Sequence, residues 1–213
     1  MRERGMIFNG EMVRAILNGS KTQTRRVALK TNGICPLGRV GDRLWVRETF
    51  AVLGNEDGCA IDWEDNLVKG GGKDAARIYR ASCEQKSGNY GLWSIPDDAF
   101  WKPHTDNMQY EGSWVPSIHM PRWASRITLE ITSVRVERLK AISEKNAKAE
   151  GVTPAGNLLP DHSGTYLTPN GNFATAEVAF QRLWESIYGE ESWSANPWVW
   201  VIEFKRVEAT DEQ

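Results

Sequence analysis

At 213 residues, with 40% hydrophobic and 25% charged side chains, the chain has the composition of a globular protein that can bury a substantial core. A net charge of -2 argues against a uniformly basic nucleic-acid coat and leaves room for a local basic groove. The longest apolar run, 198–202, is far too short for a membrane helix, and no charged-then-apolar signal segment is visible. Cys35, Cys59 and Cys83 have no metal-type spacing, so reduced thiols, a cytoplasmic location and no membrane association are expected.

Asn9 is a candidate N-cap for a short helix through Met12, Val13, Ile16 and Leu17, which Asn18-Gly19 ends. The stretch that follows, Gly19-Ser20-Lys21-Thr22-Gln23-Thr24-Arg25-Arg26, gathers a base candidate, hydroxyl nucleophiles and two fixed cations. Arg25 and Arg26 disfavour another positive charge nearby, which lowers the pKa of Lys21 toward the range of a base. A threonine hydroxyl such as that of Thr24 is a poor nucleophile until a base sits beside it. On a regular strand Lys21 and Thr24 face opposite sides, so they converge only where a turn or bulge intervenes. Gly19 can supply such a bend. A basic loop that touches phosphates or faces water is the competing reading of the same residues.

Gly41-Asp42 turns the chain into a strand at about 44–48. From about 54 to 117 the pattern breaks into Gly, Asp, Asn and Pro, with a strand-like piece at 76–81, which predicts an elaborated insertion within one domain. Residues 127–131 alternate strictly, and Val134 and Val136 resume the pattern after a bulge at Ser133. Ser143 caps a second helix, Ile142 can staple onto Ala147, and Gly151 stops it. Glu150 lies in the last turn of that helix, where the macrodipole disfavours a carboxylate. A residue that breaks a local rule without visible compensation is a mild functional flag. Residues 156–172 read as a mobile loop. Ala176, Ala179, Phe180, Leu183, Trp184, Ile187 and Tyr188 form the apolar stripe of a third helix closed by Gly189. The last strand, 198–204, is apolar on both faces and therefore central. Short strands with few short helices predict an α+β chain built on a small mixed β-barrel.

Gly19-x-Lys21-x-x-Thr24-x-Arg26 resembles the signature of the ASCH family, relatives of the PUA RNA-binding fold. The resemblance continues in Gly41-Asp42-x-Leu44-x-Val46-x-Glu48, in Ile142-Ser143-Glu144-Lys145 through Glu150, and in Trp198-Val199-Trp200-Val201-Ile202-Glu203-Phe204. With its 114–126 segment the chain is similar to the larger ASCH proteins of phages and prophages. The resemblance implies a single PUA-like domain over 1–213, to which the insertion at about 54–117 and the loop at about 156–172 are additions. Compact bacterial members of the family hydrolyse the amide of N4-acetylcytidine to cytidine and acetate. Carried onto this chain, the resemblance implies that Lys21 takes the proton of Thr24 and Thr24 attacks the acyl carbon. Glu150 then relays protons or positions the exocyclic nitrogen, while Arg26 stabilises negative charge or holds the substrate. Thr22, Arg47 and Glu48 are further candidates for substrate binding.

Between Trp114 and Arg126, aromatics alternate with arginines. Packing explains most of them, and Arg122, Arg126 and Trp123 are the nucleic-acid-binding candidates. His119 reads as a packed histidine, and His104 and His162 are isolated in loops. Without a Cys or His cluster, no metal and no cofactor are expected. The expected partner is a modified nucleoside or RNA bound in the barrel cleft. The alternatives to amide hydrolysis are a non-catalytic module for RNA or a modified base, and a ribonuclease, which the lack of an evident pair of catalytic histidines weakens.

Overall fold

Local signals set most element boundaries in the computed structural model, which describes residues 1–28, 33–55, 57–83 and 114–207. In chain order the first elements are β1 (Glu3–Ile7), α1 (Gly10–Leu17), β2 (Gln23–Val27), β3 (Arg43–Arg47), β4 (Phe50–Val52) and β5 (Arg77–Tyr79). They are followed by β6 (Thr128–Arg138), α2 (Glu144–Ala149), β7 (Tyr166–Leu167), β8 (Phe173–Ala174), α3 (Ala176–Tyr188), α4 (Glu190–Ser194) and β9 (Trp198–Val207). Asn9 Oδ1 accepts the Met12 amide at 2.8 Å and starts α1. Ser143 and Thr175 accept the Asn146 and Val178 amides in the same way and start α2 and α3. Gly189, at φ 84°, ends α3 by donating its amide to Glu185.

The chain divides into two units, one of Met1–Arg4, Ala15–Leu44 and the chain from Thr128 onward, the other of Gly5–Arg14 and Trp45–Ile127. The first unit is organised by β9. This strand pairs antiparallel with β2, from Gln23↔Glu203 to Val27↔Val199, and with β6, from Thr128↔Val207 to Arg138↔Trp198. Its interior position explains why Val199, Val201 and Ile202 are fully buried. The irregularity expected at Ser133 falls between Ile131 and Ser133, where the β6 register shifts. The opening residues of β1 and β3 complete the sheet, in the order β1-β3-β6-β9-β2, with Arg43 donating to Arg2 O at 2.8 Å. No β1–β2 pairing closes a barrel among the described residues, so the architecture is a mixed α+β one dominated by a sheet with short helices. One face of that sheet is covered by α2 and α3. Leu139, Ile142, Ala147, Phe180, Trp184, Val199 and Val201 form its core. Fully burying a side chain as large as Val, Leu, Ile or Phe contributes roughly 1.5–3 kcal/mol. The loop expected at 156–172 contains a 3-10 turn at Gly156–Leu158 and the two residues of β7, which pair with β8.

The second unit holds the described part of the expected insertion. Residues 84–113, His104 among them, lie outside the described residues. Here β4 and β5 pair antiparallel, and Ala51, Leu53, Ile61, Ala76, Ile78 and Cys83 form a core against Trp114. Phe50, Met120 and Ala124 form another, flanked by Trp45, Tyr79 and Val115.

Candidate active site

In the first unit the residues leading into β2 meet the end of α2. Lys21 donates its amide to Ala15 O, Thr22 donates to Ala149 O, both at 2.9 Å, and Lys21 forms an isolated antiparallel bridge with Glu150. Gly151 makes this approach feasible. Its φ is +82°, and a Cβ there would come within 2.7 Å of Lys21 Cβ and 2.8 Å of Ala15 Cβ. The backbone thus delivers Lys21 and Glu150, 129 positions apart in sequence, to one place.

Lys21 Nζ donates to Glu150 Oε2 at 3.0 Å and to the Glu150 carbonyl at 2.7 Å, using two of its three donors. The second bond satisfies a carbonyl at the helix end, and the ammonium favours the negative pole there. Arg25 NH1 donates to Glu150 Oε1 at 2.9 Å. Glu150 is therefore placed against its helix dipole because two cations compensate it. All three side chains are almost fully buried, at 0%, 0% and 3% exposure for Lys21, Arg25 and Glu150. Removing one member of such a group leaves an uncompensated buried charge, which costs about 3–5 kcal/mol.

Burial pushes the Lys21 pKa below its ordinary 10.5. The Glu150 carboxylate opposes that shift, and Arg26 and Arg25 add to it more weakly. The direction matches the expectation from sequence, but desolvation leads and the arginines are secondary. The difference arises because sequence displays neighbours in the chain and hides the depth at which a side chain sits.

The network continues outward. Arg25 NH2 donates to Glu137 Oε2 at 3.0 Å, Arg135 Nε donates to Glu137 Oε1 at 2.5 Å, and Arg135 also pairs with Glu203. Glu137 is only part-buried. Burial alone would raise its pKa, but hydrogen bonds and charges from Arg135 and Arg25 prevail and hold it below the usual carboxylate range. The Phe180 ring lies 5.8 Å from the Arg25 guanidinium. Gln23 Nε2 donates to Asn146 O at 2.8 Å, so Lys21, Gln23 and Arg25 all turn toward α2. Their i, i+2, i+4 spacing was the sequence signal for this face. Arg25, Gln23 and Glu137 were not among the candidates read from it.

Thr24 lies on the opposite face. It is fully buried, it pairs in register with Ile202, and its Oγ1 accepts from Arg26 NH1 at 2.6 Å. Arg26 NH1 also donates to Arg25 O at 2.9 Å. No hydrogen bond joins Lys21 to Thr24 among the described residues. The structure thus brings Lys21 and Glu150 together, pairs Thr24 with Arg26, and leaves the Thr22 side chain at the surface.

The remaining candidates sit in the second unit. Glu48, 2% exposed, receives both arms of Arg126 at 2.9 and 3.0 Å. The Arg126 guanidinium lies 4.0 Å from the Tyr79 ring centroid, and Tyr79 Oη donates to Ala124 O at 2.8 Å. Burial raises the Glu48 pKa despite the hydrogen bonds and charge of Arg126. Glu48 also lines a cavity of about 340 Å³ together with Phe8, Asn9, Thr49, Arg80 and Ser117. Arg47 donates to the carbonyls of Ser117, at 3.1 Å, and Ile118, and stacks 5.5 Å from Trp45. Trp123, 38% exposed, meets the Phe50 ring edge-on and carries Arg77 at 5.7 Å, while Arg122 is exposed. Arg126 is thus committed to Glu48 and Tyr79, whereas Arg122 and Trp123 lie at the surface. Among the described residues no group of three or more His, Cys, Asp or Glu could hold a metal ion, and no helix is long and apolar enough to cross a membrane.

No family model matches the sequence, and no curated protein matches it. Among solved structures the chain is similar to the crystal structure of an ASCH domain from Lactobacillus crispatus JV V101. The two are 12% identical over 96% of this chain and 79% of that one, with a TM-score of 0.41.

Proposed function

We propose that the chain binds a modified nucleoside, free or within RNA, and hydrolyses the amide of an N4-acylated cytidine. The observation that supports proton transfer is the buried Lys21–Glu150 pair, with Nζ 3.0 Å from a carboxylate oxygen and the lysine pKa lowered by burial, while the substrate class follows the motif resemblance. In the reaction, which requires an opening that exposes the buried Lys21 Nζ to substrate, water attacks the acyl carbon as its proton passes to neutral Lys21. The bond from that carbon to the exocyclic nitrogen breaks, and the Lys21–Glu150 pair returns a proton to the nitrogen. The products are cytidine and the free acid.

The opposite facing of Thr24 and Lys21 favours water as the group that Lys21 deprotonates. Thr24, which accepts a short hydrogen bond from Arg26, is the competing nucleophile, because Arg26 would stabilise its alkoxide. Cytidine release from N4-acetylcytidine, followed by chromatography, tests both. With water as nucleophile, Thr24→Val and Thr24→Ser keep release; with Thr24 as nucleophile, valine abolishes it and serine retains it. Absence of release from the unmodified protein between pH 6 and 10 would remove the hydrolase reading.

A binding role without chemistry is the second reading, and the second unit favours it. There Arg77 lies over the exposed Trp123, beside the exposed Arg122, a pairing of aromatic and cation that suits stacked bases and phosphates. It predicts oligonucleotide affinity that falls with salt and weakens in Arg122→Ala. Affinity indifferent to salt would count against it.

A further inference from the structure

We infer that Glu137 is a positioning residue: it takes one arm of the Arg25 guanidinium, keeps Arg25 from engaging Glu150 with both arms, and so reserves one oxygen of Glu150 for Lys21. The inference rests on the reading of Lys21 and Glu150 as the proton-transfer pair. A guanidinium is a planar fork whose natural match is one carboxylate gripped by two nitrogens. Arg126 does this in the second unit, placing Nε and NH2 on the two oxygens of Glu48. Arg25 does not. Its NH1 goes to Glu150 Oε1, its NH2 goes to Glu137 Oε2, and its buried Nε has no partner among the described residues. With Glu137 absent, Arg25 can place two nitrogens on Glu150 and compete for Oε2, leaving Lys21 with the Glu150 carbonyl alone.

Sheet register explains how Glu137 comes to hold Arg25. Arg25 on β2 and Arg135 on β6 both partner Val201 on β9, from its two sides, so the three share one face. Glu137, two residues along β6, stands on that same face and is steadied by Arg135, which Glu203 of β9 holds in turn. The charged groups around Lys21 are Glu150 beyond α2, Arg25 and, from the other face of β2, Arg26, with Glu137 and Arg135 of β6 and Glu203 of β9 further along the network. From α3 the Phe180 ring faces Arg25. Both consequences of losing Glu137 have one sign. The Lys21 ammonium loses part of its carboxylate, and the surroundings lose a negative charge, so neutral Lys21 is favoured and its titration moves to lower pH.

The test follows the Lys21 Nζ titration by NMR of 15N-lysine-labelled protein, alongside the pH profile of cytidine release. Glu137→Leu is expected to lower the Lys21 midpoint by about half to one unit, a roughly three- to tenfold change in its proton affinity. Glu137→Gln should shift it less in the same direction, Glu137→Asp should restore it, and Glu203→Gln should leave it in place. An unchanged or raised midpoint in folded Glu137→Leu overturns the inference. Should that variant not fold, the same result in Glu137→Gln does so. If the unmodified protein releases no cytidine while the midpoint falls as stated, the hydrolase reading fails and the positioning role stands.

Discussion

Two buried carboxylates, Glu150 in the first unit and Glu48 in the second, meet the same electrostatic problem with different partners. Glu48 receives one arginine that grips both oxygens and lies on the Tyr79 ring, so its partner is a cation that stays protonated. Glu150 is divided between an arginine and a lysine, and burial drives the lysine toward neutrality. The first arrangement serves as a clamp on the fold. The second is held by two cations, one of which can lose its charge. Burial of a carboxylate thus says little about chemistry until its partners are named.

The largest expected effect that sharpens this contrast is Glu150→Ala. It leaves Lys21 and Arg25 buried without their shared carboxylate and should cost about 3–5 kcal/mol in urea unfolding. Gly151→Ala comes next. It places a side chain at φ +82° and within 2.7 Å of Lys21 Cβ, so a loss of about 3 kcal/mol and a displaced Lys21 are expected. Arg126→Ala strips the clamp from Glu48, but Arg126 is 25% exposed and water can enter, so about 2 kcal/mol is expected. A value for Arg126→Ala above that for Glu150→Ala would break the ranking of the two sites.

The smallest and most specific effect is the dependence of stability on pH, where the two sites have opposite signs. The folded-state pKa of Lys21 lies below its unfolded value of 10.5, so the unfolded chain binds the extra proton between those values. Stability therefore gains from this group as pH rises through that window. The folded-state pKa of Glu48 lies above its unfolded value of 4.5, so the folded chain holds the extra proton there. Its contribution falls as pH rises from 4.5 through the raised value. Urea midpoints measured across pH should lose the alkaline rise in Lys21→Met and the acid-side fall in Glu48→Gln. Slopes that persist in those variants would assign them to other groups.

Much of the framework was legible in the chain because its signals are local. Asn9, Ser143 and Thr175 cap helices through their own side chains, and the apolar run of 198–202 marks a strand buried on both faces. Glu150 stood out because it opposes its helix dipole, and its compensation by Lys21 and Arg25 is the feature that sequence could flag but not supply. The split of Arg25 between Glu150 and Glu137 joins positions 125 and 112 apart, a separation at which no spacing rule operates. Alternation from Lys21 into β2 did carry the information that Lys21 and Thr24 face apart, and their separate partners, Glu150 and Arg26, agree with it. The β7–β8 pair was hidden because two-residue strands have no period to read. The core of the second unit was only partly visible: the strand-like piece at 76–81 carries Ala76 and Ile78, but Leu53 and Ile61, which meet them, belong to no repeat.

Cytidine release from N4-acetylcytidine by the unmodified protein and by Lys21→Met, both checked for folding by circular dichroism, tests the proton-transfer role of Lys21 most directly. Release by the unmodified protein that disappears in folded Lys21→Met is the predicted result. Equal release by the two proteins would contradict it.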